Sequence, residues 1–165
     1  MKETSFSKKV KLIFWAVATL TCMIIIFVMS HQPAVISADI SGSITEWPVV
    51  KVFLDVFGLD KLDQGTQEHI IRKLAHMLEY FGLSMCVTMY LLTLKGQLKI
   101  KTMLGALGFS ITYAISDEVH QLFVEGRAGM VKDVLIDSIG ILLAIGFIYI
   151  INVWKMSIHK KRMRK

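Results

Sequence analysis

The stretch LIFWAVATLTCMIIIFVM, residues 12–29, runs for 18 residues without one ionisable side chain. That is close to the ~20 apolar residues at which a helix crosses a hydrocarbon core of about 30 Å. Working outward from it, three further charge-free runs follow at residues 80–94, 102–116 and 138–154. With the ionisable residues beside them, four spans are expected at about 12–29, 74–94, 102–123 and 134–154. They take up half of a 165-residue chain. No room is left for a large catalytic domain, a Rossmann unit or a repeat array. The expected fold is all-α, an integral membrane four-helix bundle forming one domain over residues 1–165. The hydrophobic fraction of 54% decides far less than this arrangement does.

Charge gives the orientation. A formal net charge of +6 on a soluble chain would raise nucleic-acid binding. Here thirteen of the nineteen Lys and Arg flank the expected spans on one side: Lys2, Lys8, Lys9 and Lys11, then Lys95, Lys99 and Lys101, then six from Lys155 to Lys165. Glu3 is the one acid among them. The positive-inside rule then puts both termini in the cytoplasm, with the bilayer as partner and no nucleic acid. The first span resembles a signal peptide, but its apolar run exceeds the usual ~7–15 residues, so an uncleaved anchor is expected. Cys22 and Cys86 are isolated in apolar runs and read as small packing residues.

Between the first two spans lies a long outer segment with Pro33, Pro48 and several Ser, Gly and Asp. Within it Val49, Val50, Phe53, Val56 and Phe57 recur at helical spacing among Lys51, Asp55 and Asp60. A short amphipathic helix is expected there, lying in the outer interface or packed over the bundle. Thr66 is placed to cap the next helix. Gly126 and Gly129 mark an outer turn.

The depth of the charges inside the spans is the most informative feature. Counting a rise of about 1.5 Å per residue from the cytoplasmic edges, Glu79, Asp117 and Asp137 lie roughly 22–26 Å up, and His76 and His120 near 27 Å. Three helices thus bring acids and imidazoles to one layer beneath the outer surface. Spacings of three and four group Arg72, Lys73, His76, Glu79 and Tyr80 on one face. The same spacing groups Asp117, His120 and Gln121, and Asp133, Asp137 and Gly140. Charges at such depth are costly and face one another or a wet cavity. Gly140 and Ala144 form a small-xxx-small pair suited to close helix approach. The acids Glu79, Asp117, Glu118, Asp133 and Asp137 outnumber Arg72, Lys73 and Arg127, an excess that pairing alone does not neutralise.

Three stretches carry a resemblance. Arg72-Lys73-Leu-Ala75-His76-Met-Leu-Glu79-Tyr80 is one, and Ser116-Asp117-Glu118-Val-His120-Gln121 continuing to Gly126-Arg127 is another. With Asp133-Val-Leu-Ile-Asp137-Ser-Ile-Gly140 and Gln32 after the first span, the chain resembles the VanZ-like family. The resemblance implies a multi-span protein of the bacterial inner membrane, in a family whose named member is associated with reduced susceptibility to the glycopeptide teicoplanin. It supplies a context without a reaction.

Several functions fit these residues. In the first, the site binds or modifies an envelope lipid, a lipid-linked precursor or a glycopeptide. Arg72, Lys73 and Arg127 would hold an anion. His76 or His120 would serve as acid–base group, oriented by Glu79, Asp117 or Glu118, with Tyr80, Gln121, Asp133 and Asp137 completing the binding set. In the second, His76-x-x-Glu79 and Asp117-x-x-His120 hold a metal; neither a metal nor any other cofactor is assigned on this spacing alone. In the third, the chain is a non-enzymatic structural or interaction membrane protein: its buried charges are an ion-pair network, or it binds a glycopeptide or an envelope partner through apolar residues such as Phe53 and Phe57. A proton-coupled transporter is weaker, because the cytoplasmic half offers only Ser and Thr as a relay.

Overall fold

The computed structural model describes the backbone of residues 5–162 and the side chains of residues 5–158. The side chains of Lys2, Glu3 and residues 159–165, which enter the charge count above, lie outside the described residues. Among the described residues six helices follow one another: α1 Ser5–Ser30, α2 Ala34–Thr45, α3 Pro48–Val56, α4 Gln64–Lys95, α5 Ile100–Gln121 and α6 Val131–Arg162. Among the described residues there is no strand.

Local chemistry explains the boundaries. Pro48 opens α3 at its first turn, where a missing N–H costs nothing. At α4 the cap is Asp63 and not Thr66: the Asp63 carboxylate accepts from the Thr66 N–H at 3.0 Å and from its hydroxyl at 2.6 Å. A carboxylate is the stronger acceptor for the amides of a helix start, and it favours the positive end of the helix dipole. Gly96, at φ +72°, ends α4 in the left-handed conformation, and its N–H closes on the Leu92 carbonyl.

Three of these helices, α1, α4 and α6, are long and apolar enough to cross a membrane. The fourth long helix, α5, falls outside that group; it carries Lys101, Asp117 and Glu118 among several Gly, Ser and Thr. Burial is sparse and exposure is apolar, as lipid contact requires. Helix α1 buries only Ile26 and Ser30, while Ile13, Phe14, Val17, Leu20 and Ile24 are exposed.

The central element is α4, which packs against α1, α2, α5 and α6, and α5 packs in turn on α6. Ile26, Tyr80, Leu83, Ala106, Ala114 and Ile141 form the heart of the core. The expected close approach at Gly140 is present. A Cβ there would stand 2.1 Å from the Met77 carbonyl oxygen, and Ala144 is fully buried one turn on. The Lys8 ammonium reaches the Leu94 carbonyl at 3.1 Å, which sets the start of α1 beside the end of α4. At the opposite end the Ala34 N–H bonds the Glu125 carbonyl. The lysine-rich turn and the acid–imidazole layer therefore lie at opposite ends of the molecule.

The outer segment differs from its expected form. It contains two helices, because Ser37, Ser41 and Thr45 recur every fourth residue and bury one small polar face of α2. The Ser41 hydroxyl satisfies itself on the Ser37 carbonyl. The amphipathic α3 packs mainly on α2, buries only Leu54, and leaves Val49, Val52, Val56 and Phe57 exposed.

Candidate functional site

Two chambers lie side by side at the acid–imidazole end. The larger, of about 170 Å³, is lined by Arg72, Lys73, His76, Glu118, Asp133 and Asp137, with Gln121 and Arg127 at its wall. The smaller, of about 40 Å³, sits under α2 against Ser37, Ser41 and Glu79. Arg72, His76 and Arg127 line both chambers and form the partition between them.

The bases differ in how they are held. Lys73 forms an ion pair with Asp133 across α4 and α6, both side chains largely buried. Arg72 bonds the His69 ring at 3.1 Å. Arg127, in the turn between α5 and α6, donates through Nε to the Gln32 carbonyl at 3.1 Å and through Nη2 to the Met29 carbonyl at 3.3 Å. It thereby ties the turn to the carbonyls where α1 ends. Among the described residues neither arginine pairs with a carboxylate. Burial, and then the charge of Arg72, lower the Arg127 pKa from its ordinary value. Two guanidinium groups thus share one wall.

The acids are held mostly by neutral partners. Asp117 accepts from the Ser30 hydroxyl at 2.7 Å and from the Gln121 amide at 3.1 Å. Glu118 accepts the Met130 N–H at 2.8 Å and faces the same Gln121 amide at 3.5 Å. His76 Nδ1 lies 3.2 Å from Glu79 Oε2, one turn away on α4. Glu79 Oε2 is buried without a hydrogen-bond partner, so the two groups meet as neighbouring charges. Asp137 is 3% exposed, lines the larger chamber, and has no hydrogen bond or ion pair among the described residues. An unpartnered buried carboxylate is costly, and this one is turned toward open space.

Of the sequence-derived candidates, Arg72, Lys73, His76, Glu79, Glu118, Gln121, Arg127, Asp133 and Asp137 line the two chambers. Asp117 lies behind them, tying α5 to α1 through Ser30. Tyr80 is fully buried in the core with its hydroxyl unpartnered. His120 is not in either chamber. Its ring stacks on His31, just past α1, and lies tilted against Phe27 of α1, with His31 Nδ1 3.1 Å from His120 Nε2. The reason is rotation. Two residues of helix turn through about 200°, so once Glu118 faces the chamber His120 faces away. The His76–Glu79 and Asp117–His120 pairs therefore do not meet, and no group of three His, Cys, Asp or Glu among the described residues is placed to hold a metal.

The VanZ/LLP1 family model matches residues 14–152, most of the chain and every candidate named above. The chain belongs to the VanZ/LLP1 family. No curated protein and no solved structure matches it. Within this VanZ/LLP1 chain, Ser30 and the Gln32 carbonyl are site partners that no local pattern announces, since each bonds a residue 87 to 95 positions away. Helix α2, over the smaller chamber, had no expectation in the sequence; the Ser37–Ser41–Thr45 spacing is the one signal that could have found it.

Proposed function

We propose that this VanZ/LLP1 membrane protein crosses the bacterial inner membrane four times, with both termini in the cytoplasm, as one domain. In this topology the two chambers open toward the outer leaflet, and α3 lies in the interface. They bind or modify the anionic group of an envelope lipid, a lipid-linked precursor or a glycopeptide, and through it lower susceptibility to teicoplanin. One observation carries the reading: Arg72 and Arg127 reach the same partition from different elements, and neither has a carboxylate partner. Two such arginines suit a phosphate or carboxylate approached in a fork geometry. Beside them His76, next to Glu79, and the unpartnered Asp137 supply the groups that exchange protons. A purely structural ion-pair network accounts for Lys73 and Asp133 but gives no carboxylate to Arg72 or Arg127 and no partner to Asp137.

The test is teicoplanin susceptibility of a Gram-positive host expressing the wild type, Arg72→Gln, Asp137→Asn or His120→Ala at matched membrane levels. The wild type and His120→Ala should protect, and the two chamber variants should not. Protection by all four would remove the chambers from the function. No protection by the wild type would remove the link to glycopeptides.

A further inference from the structure

A second pair of cavities lies at the other end of the molecule. An apolar groove of about 440 Å³ runs between α1, α4 and α5, lined by Leu20, Met23, Val87, Tyr90, Leu91 and Phe109. Directly beside it, at the turn from α4 to α5, is a polar pocket of about 390 Å³ lined by Lys95, Gln97, Lys99, Lys101 and Thr102. Leu91 and Gly105 belong to both and mark where one leads into the other.

We infer that the two together form a site for one anionic phospholipid of the cytoplasmic leaflet, with its phosphate among the lysines and an acyl chain in the groove. The leaflet follows from the topology proposed above; the binding itself does not depend on it. The arrangement along the helices matches such a molecule. Leu91 lies one turn before Lys95 on α4, and Gly105 one turn after Lys101 on α5, so charge sits above and apolar wall below on both helices. On α1 the groove extends from Ala16 to Met23, about 10 Å of helix rise into the membrane.

The charge is available for a ligand. Lys95, Lys99 and Lys101 are exposed and pair with no carboxylate among the described residues. Lys99 is also the N-cap of α5: its carbonyl takes the Thr102 and Met103 N–H groups, and its ammonium, a donor only, makes no cap bond and stays available to an anion. Basic pockets between helices on the cytoplasmic side are suited to anionic headgroups. An apolar groove alone would accept any lipid tail, and lysines alone any anion; their junction at Gly105 requires both parts in one molecule. Gly105 is what keeps the junction open. A Cβ there meets Leu91 Cδ1 at 3.5 Å, an ordinary contact, so a side chain fits the fold while filling the passage.

The test is native mass spectrometry of the delipidated full-length protein in detergent, titrated with palmitoyl-oleoyl phosphatidylglycerol or with the phosphatidylcholine of the same chains. One phosphatidylglycerol should bind at least tenfold more tightly than phosphatidylcholine. Lys99→Gln with Lys101→Gln should weaken it by roughly fivefold for each lysine removed. Gly105→Leu should abolish saturable binding, whereas Gly108→Leu, where a Cβ meets nothing within 4 Å, should bind as wild type. Leu91→Phe narrows the same passage from α4 and serves if Gly105→Leu fails to fold. Equal binding of the two lipids would overturn the assignment, as would undiminished binding to both passage variants. Displacement by equimolar glycerol 3-phosphate would mean a soluble-anion pocket and would equally overturn it. Susceptibility assays on the outer chambers read a separate property, so either result can fail without the other.

Discussion

Replacing Gly140 by alanine should separate α6 from α4 and loosen the site above it. The added Cβ would stand 2.1 Å from the Met77 oxygen and 3.0 Å from the Met77 carbonyl carbon, both backbone atoms that no rotamer change can move. A carbon meets a carbonyl oxygen comfortably at about 3.3 Å, so the two helices must part by roughly 1 Å. Overpacking of this kind costs about 1–3 kcal/mol. For a chain of this size each kcal/mol moves the melting temperature by about 2–4 °C, so a fall of roughly 2–12 °C is expected. The shift is read by thermal unfolding in detergent, with Gly146→Ala as the matched control. At Gly146 a Cβ meets nothing within 4 Å, and Gly→Ala in a helix interior gains about 0.5–1 kcal/mol. Gly140→Ala should therefore melt lower and Gly146→Ala slightly higher. If both move alike, α6 does not sit against the Met77 carbonyl and the packing described above is wrong. Asp137 lies one turn from Gly140, so on the function proposed above the same substitution should also impair teicoplanin protection.

Two further outcomes follow from the caps and pairs. Hydrogen bonds from Thr66 lower the Asp63 pKa, so the cap contributes fully above the unfolded carboxylate pKa and is lost as pH falls through the lowered native one; Asp63→Asn should keep the cap and flatten that acid dependence of unfolding. For Lys73 and Asp133, a double-mutant cycle through Lys73→Met and Asp133→Asn should give a coupling of about 1 kcal/mol or more, above that of an exposed pair, since both side chains are largely buried; zero coupling would mean the pair is not formed.

Much of the fold was legible because lipid imposes a simple pattern. The charge-free runs announced α1 and most of α4 and α6, and Gly140 with Ala144 announced the tightest contact. The polar layer was also legible, since residue counts along straight helices measure depth directly. Rotation was harder to read. Grouping His120 with Asp117 by a spacing of three put it on the site face, yet the face that enters the chamber is centred nearer Glu118 and Gln121. The rotation of α5 is tied to α1 by Ser30 and Tyr113 contacts with no local trace: the Tyr113 hydroxyl bonds the Met23 carbonyl at 2.6 Å, 90 residues away. α2 was hidden for another reason. Its buried face is Ser and Thr rather than Leu and Val, so a search for apolar periodicity passes over it.

The modest apolarity of α5 bears on how the protein is made. A helix carrying Asp117 and Glu118 gains too little from lipid to hold its place alone during synthesis. Its acids find their partners in Ser30, which emerges from the ribosome far earlier, and in the Met130 amide, which emerges just after. In the four-span topology proposed above, insertion of α5 is therefore a collective event. It must be handed from the translocon onto α1 and α4 already in the bilayer and secured once the following turn arrives. Substitutions at Ser30 should surface first as failed biogenesis, with α5 stranded at the membrane and cleared by proteases, before any loss of activity in the assembled protein can be seen.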